Sequence, residues 1–163
     1  LAKLKVKGLS FYSQQLQALE RDAEPIIKKC VYEGAAVMAD AIKAAIDTIP
    51  TRSPGEWGTS DKPVSGLLAI QKEGLKYSFG ISKMSDRNNT QSVKCGFDGY
   101  NKVVTKKHKN GEPNQLIARA IESGTSWLQP CHFMSRAINA NQEAVMAKMQ
   151  EVCDAELAKR TNN

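Results

Sequence analysis

Between residues 26 and 49 the apolar positions Ile27, Cys30, Val31, Gly34, Met38, Ala41, Ile42, Ala45 and Ile49 return at the spacing of one helix face. Lys28, Lys29, Glu33, Asp40, Lys43 and Asp47 fill the intervening positions, so the pattern predicts an amphipathic helix with one wet side. Its many small residues, from Gly34 to Ala45, permit a sheet or a second helix to approach closely. Upstream, Lys3 to Lys7 alternate with apolar residues, which predicts a short strand ended by Gly8. Phe11, Leu16 and Leu19 then predict a helical segment that Ser10 could cap. At Glu24-Pro25 the expected event is a bend and a helix restart, because proline suits a first helical turn and acids favour the positive end of the helix dipole.

After Ile49-Pro50 the composition shifts to Pro, Gly, Ser, Thr and charge, with Trp57 the single aromatic before Pro63. A long loop follows from that composition, and loops of this length are commonly functional or disordered. Two readings of Trp57 stay open: a partner-binding arm, or an anchor tucked onto its own domain. Leu75, Tyr77, Phe79 and Ile81 alternate, predicting a strand over 75–82 with those four on one face. A polar turn over 84–89 and a second strand over 90–97, with Val93, Cys95 and Phe97 inward, complete a hairpin. Residues 100–105 are read as a third strand, and a lysine-rich loop leads to a helix from Asn114. That helix carries Leu116, Ile117, Ala120 and Ile121; Gly124 suits the residue just past its end, and Pro130 bars continuation. A last helix runs from Phe133 to about Lys159, with a fraying polar tail. The fold class is α+β: long N-terminal and C-terminal helices on a small, mainly antiparallel sheet, with a long loop near 50–66, all in one domain spanning 1–163.

Charge adds a preference for acidic partners. There are 23 Lys and Arg against 17 Asp and Glu, a formal net charge of +6. The basic residues gather at Lys3, Lys5 and Lys7 and at Lys102, Lys106, Lys107, His108 and Lys109 around the Asn110-Gly111 turn. The second cluster is read first as solvated loop charge and second as a nucleic-acid contact. Cys30, Cys95, Cys131 and Cys153 are too scattered for a zinc or C-x-x-C redox site, and Cys30 and Cys153 fall in helical apolar patterns, where cysteine acts as a small hydrophobe. The first residues lack the continuous apolar centre of a signal peptide, and no apolar run reaches the roughly 20 residues that span a bilayer. The sequon at Asn88 is read as chance.

No catalytic constellation emerges. The two histidines are His108, in the lysine-rich loop, and His132, next to Cys131 but with neighbouring positions of an extended chain pointing apart. Asp40 and Asp47 belong to a wet helix face, and Gly55-Glu56-Trp57-Gly58 lacks the lysine of a phosphate loop. No enzyme, metal or cofactor is expected.

The order of several short motifs resembles the tail-completion, or neck, family of long-tailed double-stranded DNA phages and prophages. Glu122, Gly124 and Thr125 match its E-x-G-T turn; Pro130, Phe133 and Ala137 match the opening of its last helix; and Pro63-Val64-Ser65-Gly66-Leu67-Leu68 resembles its proline and small-Gly-x-Leu segment. The chain departs from that pattern at Trp127-Leu128-Gln129 and in a longer polar insert over 51–62. The resemblance implies a structural virion protein assembled in the bacterial cytoplasm into a ring, with six copies the expectation, at the tail neck. Its partners would be further copies of itself, a tail terminator or tube protein and a head-side connector; the basic loop adds a weak contact with phage DNA as an expectation, and the short apolar runs an expectation of no membrane contact. Candidate interface residues are Trp57, Ser65, Gly66, Leu67, Leu68, Lys106, Lys107, Lys109, Glu122, Gly124, Thr125, Trp127 and Phe133. A tail terminator capping the tube is the neighbouring alternative, and a basic nucleic-acid-binding module the alternative from another class.

Overall fold

The computed structural model describes residues 9–87 and 90–161, with side chains from Arg21 onward except those of Asp22 and Thr161. The strand expected at Lys3 to Lys7 lies outside the described residues. Helix α1 spans Leu9–Asp47, one continuous helix of 39 residues with Pro25 inside it. The restart expected at Glu24-Pro25 therefore does not occur. Proline removes one rung of the helical ladder and crowds the preceding turn, but Pro25 is exposed, and Ile26 and Cys30 just beyond it are buried. The packed seam with the C-terminal helix begins directly after the proline.

The seam is shared with α4, Phe133–Thr161, which runs antiparallel to α1. Lys29 Nζ meets Glu156 Oε1 at 2.8 Å, and a Cβ on Gly34 would stand 2.5 Å from Met149 Cγ. The run of small residues read as permitting close approach thus receives α4. Glu156 also pairs with Lys159 and Arg160 at 2.9 Å, and hydrogen bonds from Lys29, Arg160 and Lys159 hold its carboxyl far below the usual range. Cys30 and Cys153 face each other across this seam, where burial pushes the Cys30 thiol up.

At the other end of the pair α1 enters the main core, made by Ile42, Ile46, Ile49, Leu67, Leu75, Ile117, Ile121, Leu128, Phe133 and Ala137. Three short ladders border it. β1 (Thr51–Arg52) pairs in parallel with β2 (Leu67–Leu68), closing the base of the long loop, so Thr51 lies opposite Leu67. β3 (Phe79–Ile81) pairs antiparallel with β6 (Cys95–Phe97), and β4 (Ser85–Arg87) with β5 (Thr90–Ser92). The last four form one interrupted hairpin, as alternation predicts for its second strand; Phe79, Phe97 and Phe133 stack with centroids 5.0 and 6.4 Å apart and tie it to α4. The architecture is α+β with long terminal helices, but among the described residues its β structure is three two-stranded ladders.

Two expected strands are corrected. Residues Ala69–Ser78 form α2, and only Phe79–Ile81 of the strand placed at 75–82 is extended. Leu75 is fully buried while Tyr77 is 84% exposed, as positions two apart are on a helix, where they differ by roughly 200°. Gln71 Oε1 accepts the Leu68 N–H at 3.2 Å at the start of α2, and Lys72 Nζ donates to the Asp47 and Ile49 carbonyls at 2.8 and 2.7 Å, capping the end of α1. The third strand, at 100–105, shrinks to a single bridge between Tyr100 and Pro113, made by the Asn101 N–H donating to Glu112 O at 2.7 Å and the Asn114 N–H donating to Gly99 O at 3.1 Å, while the Asn101 side chain turns inward. Helix α3 occupies Asn114–Ser123 as its apolar spacing predicts.

Candidate functional site

The segments that carry the two exposed tryptophans are brought together by backbone contacts although 70 positions separate Trp57 from Trp127. Thr125 N–H donates to Leu128 O at 2.8 Å, forming a tight turn with Trp127 at its tip. The Trp127 carbonyl accepts the Val64 N–H at 3.0 Å, and Gln129 N–H donates back to Val64 O at 2.8 Å. Gly58 rests on that same carbonyl so closely that a Cβ would lie 1.8 Å from the oxygen. The long loop is therefore docked at its base and at its middle. Trp57, next to Gly58, is 73% exposed, and Trp127 is 44% exposed. The Arg52 guanidinium sits 5.4 Å from the Trp57 ring centroid and donates to the Glu56 carbonyl. Glu56 Oε2 in turn accepts the Ser53 N–H at 3.0 Å, so the arm is braced from within.

The 121–135 corner positions Trp127. Gly124 leaves α3 at φ 74°, a backbone state that favours glycine, with Pro130 and the Leu128 carbonyl filling the space a Cβ would need. Cys131 N–H and His132 N–H donate to the Ile121 and Glu122 carbonyls at 2.7 and 3.2 Å, satisfying the end of α3. The Glu122 carboxylate accepts the N–H groups of Met134 and Ser135 at 2.9 and 3.0 Å, and the Ser135 hydroxyl, thereby capping α4. Burial works to raise the Glu122 pKa, but these hydrogen bonds and nearby His132 outweigh it and hold the carboxyl below its ordinary value.

The lysine-rich loop adjoins this surface. A narrow cleft of about 20 Å³ is lined by Arg52, Gln71, Glu112, Trp127 and Leu128, which places the base of the 101–112 excursion beside Trp127. Lys102, Lys106, Lys107 and Lys109 are exposed around a turn in which Thr105 and His108 exchange backbone hydrogen bonds at 3.2 Å. The loop is anchored by Asn101, 3% exposed, whose Nδ2 faces the Gln71 carbonyl and Asn114 Oδ1 at 3.2 Å and the Ile70 carbonyl at 3.4 Å. Its Oδ1 accepts the Val103 N–H at 3.2 Å.

Among the expected interface residues, Trp57, Ser65, Lys106, Lys107, Lys109, Thr125 and Trp127 are exposed. Leu67 and Phe133 belong instead to the chain's own core, and Gly66 is buried against the Pro50 carbonyl. Leu68, Glu122 and Gly124 are half-buried and shape the surface without forming its tip. Sequence reasoning missed Arg52 and Gln129, whose roles depend on partners distant in the chain. It also missed a groove of about 440 Å³ beside α2, where Tyr77 and Tyr100, 84% and 68% exposed, accompany Ile70, Glu73, Asp98 and Lys102. Alternation alone places both tyrosines on strands and so hides their exposure.

Arg136 Nη2 reaches Cys131 Sγ at 3.6 Å, while His132 adopts φ 51° and is exposed. Among the described residues no three His, Cys, Asp or Glu side chains gather to hold a metal ion, and no helix is long and apolar enough to cross a membrane. No protein-family model, curated protein or solved structure matches the chain.

Proposed function

We propose that this chain is a structural subunit of the neck of a long-tailed phage or prophage, completing the tail and joining it to the head through a ring of copies. The observation that carries the reading is that the arm bearing Trp57 is braced against the turn bearing Trp127, with both rings exposed outside the core. Exposed tryptophans held on a docked loop suit a contact that forms with little ordering cost, since aromatic anchors dominate binding surfaces. A ring requires heterologous contacts, in which this surface meets a different face of the next copy. The head-side connector and a tail terminator or tube protein would take the ring's two ends, placing the protein in the virion.

Complementation of a phage or prophage deleted for the gene, followed by negative-stain electron microscopy of the lysate, tests the reading. Filled heads beside tails that cannot join are expected without the gene, and joined particles with it. Overlong tails would transfer the chain to the terminator role. Normal infectious particles in the deletion would overturn both.

The exposed Lys102, Lys106, Lys107 and Lys109 favour one competing reading, a nucleic-acid-binding module. Affinity resting on several lysine-phosphate contacts falls steeply with salt, whereas a tryptophan-centred ring contact does so weakly. Tight DNA binding abolished by salt, together with intact particles in the deletion, would put that reading first.

A further inference from the structure

The seam between α1 and α4 holds two thiols in register. Lys29 Nζ meets Glu156 Oε1 at 2.8 Å, and a Cβ on Gly34 would stand 2.5 Å from Met149 Cγ. Because the helices run antiparallel, four residues forward along α1 from Cys30 reach Gly34, and four residues back along α4 from Cys153 reach Met149. Cys30 and Cys153 therefore repeat the contact of Gly34 with Met149 about one helical turn along. Cys30 is 6% exposed, Cys153 is half-buried, and both are free thiols.

That level of the seam suits a covalent link. Packed helices have axes about 8–10 Å apart with Cα atoms about 2.3 Å from each axis, so facing Cα atoms fall near the roughly 4.4–6.8 Å that a disulfide spans. Gly34, a turn away, leaves no side chain between the helices at its level and lets the two backbones approach. Access to the two thiols differs. Burial, with Cys153 alongside, pushes the Cys30 thiol up, so Cys30 stays protonated and shielded while Cys153 keeps partial exposure.

We infer that Cys30 and Cys153 form an oxidation site that takes a low-molecular-weight disulfide as its substrate and closes into a covalent bond between α1 and α4. The Cys153 thiolate attacks one sulfur of the small disulfide; the S–S bond breaks, one small thiolate leaves, and Cys153 carries a mixed disulfide. The negative charge that opposed ionisation of Cys30 is then gone. Cys30 gives its proton to water and attacks the Cys153 sulfur, expelling the second small thiolate. Two protein thiols have lost two electrons, and the small disulfide has become two thiols. The link fastens α1 to the last turns of α4, beside the ion pairs of Glu156 with Lys29, Lys159 and Arg160. It draws on no residue of the tryptophan-bearing loop and turn, so it holds whether or not the neck reading does.

The test incubates the full chain with excess oxidised glutathione, blocks the remaining thiols with iodoacetamide in denaturant, and maps tryptic peptides by mass spectrometry without reduction. Cleavage after lysine releases residues 30–43 and 149–159, each with one cysteine. These two peptides should appear joined, from protein that runs as a single chain on a non-reducing denaturing gel. Oxidised wild type should melt about 5–10 °C above the reduced protein, since the link closes a loop of roughly 120 residues. Cys30→Ala and Cys153→Ala should both lose that shift; the first should retain glutathione on Cys153, and the second should leave Cys30 free. Peptides 30–43 and 149–159 recovered unlinked with both thiols alkylated, or joined only between two copies of the chain, would overturn the inference. Cys30→Ala with Cys153 unmodified would overturn it as well.

Discussion

Replacing Asn101 by alanine tests whether a buried amide, rather than apolar packing, holds the lysine-rich loop to the body. Three acceptors surround Nδ2 within 3.4 Å and one N–H faces Oδ1, so only one orientation of the amide satisfies every neighbour. Alanine strips the Val103 N–H and Asn114 Oδ1 of their partners and leaves two α2 carbonyls with one fewer donor. At about 1 kcal/mol for each hydrogen bond lost, and more where a buried group is left unpaired, the change should cost about 3 kcal/mol. For a chain of this size that lowers Tm by about 6–12 °C. Aspartate should be worse than alanine, because it keeps the acceptor for Val103 but points a second acceptor at three others in a site only 3% exposed. Urea unfolding of the two variants, with limited proteolysis near Lys106 and Lys107, reads both effects. An Asn101→Ala protein within about 1 kcal/mol of wild type, or an aspartate variant more stable than alanine, would refute the reasoning.

Three further outcomes are expected. Gly58→Ala should cost about 2 kcal/mol through overpacking against the Trp127 carbonyl, and should expose residues 51–66 to protease; a melt unchanged from wild type would count against a docked arm. Trp57→Ala should stay within about 1 kcal/mol of wild-type stability, since the exposed ring leaves little beyond its contact with Arg52, yet should fail in complementation; normal particle yield would remove Trp57 from the assembly surface. Because Glu122 has a lowered folded pKa, its contribution is full above the ordinary carboxylate value and disappears as pH falls through the folded one. Glu122→Gln should therefore lose about 1 kcal/mol, the size of a helix cap, at neutral pH, with the gap to wild type closing in acid; a gap constant with pH would contradict the cap.

Much of the candidate site was legible as ingredients and not as an arrangement. Trp57, Trp127 and the lysines stand out by residue type, and Gly124 marks its turn because a helix end requires a particular backbone state. Nothing in the spacing of Val64, Gly58 and Trp127 announces that they meet. Their hydrogen bonds join segments more than 60 residues apart, so the braced arm appears only when α3 and α4 turn the Thr125–Gln129 corner against residues 58–64. Glu122 likewise looked like part of a surface motif, but its carboxylate is committed to α4.

The sequence by itself determined the helices α3 and α4, most of α1, the hairpin topology and the α+β class, because those depend on periodicity within a few turns of the chain. Tertiary structure decided two things that local pattern opposes. It made residues 69–78 a helix, because Leu75 must enter the core while Tyr77 faces water. It turned Asn101 inward, because Gln71 and Asn114 supply the partners that a buried amide requires. In each case the deciding energy lies between residues distant in the chain, and alternation reports only on near neighbours.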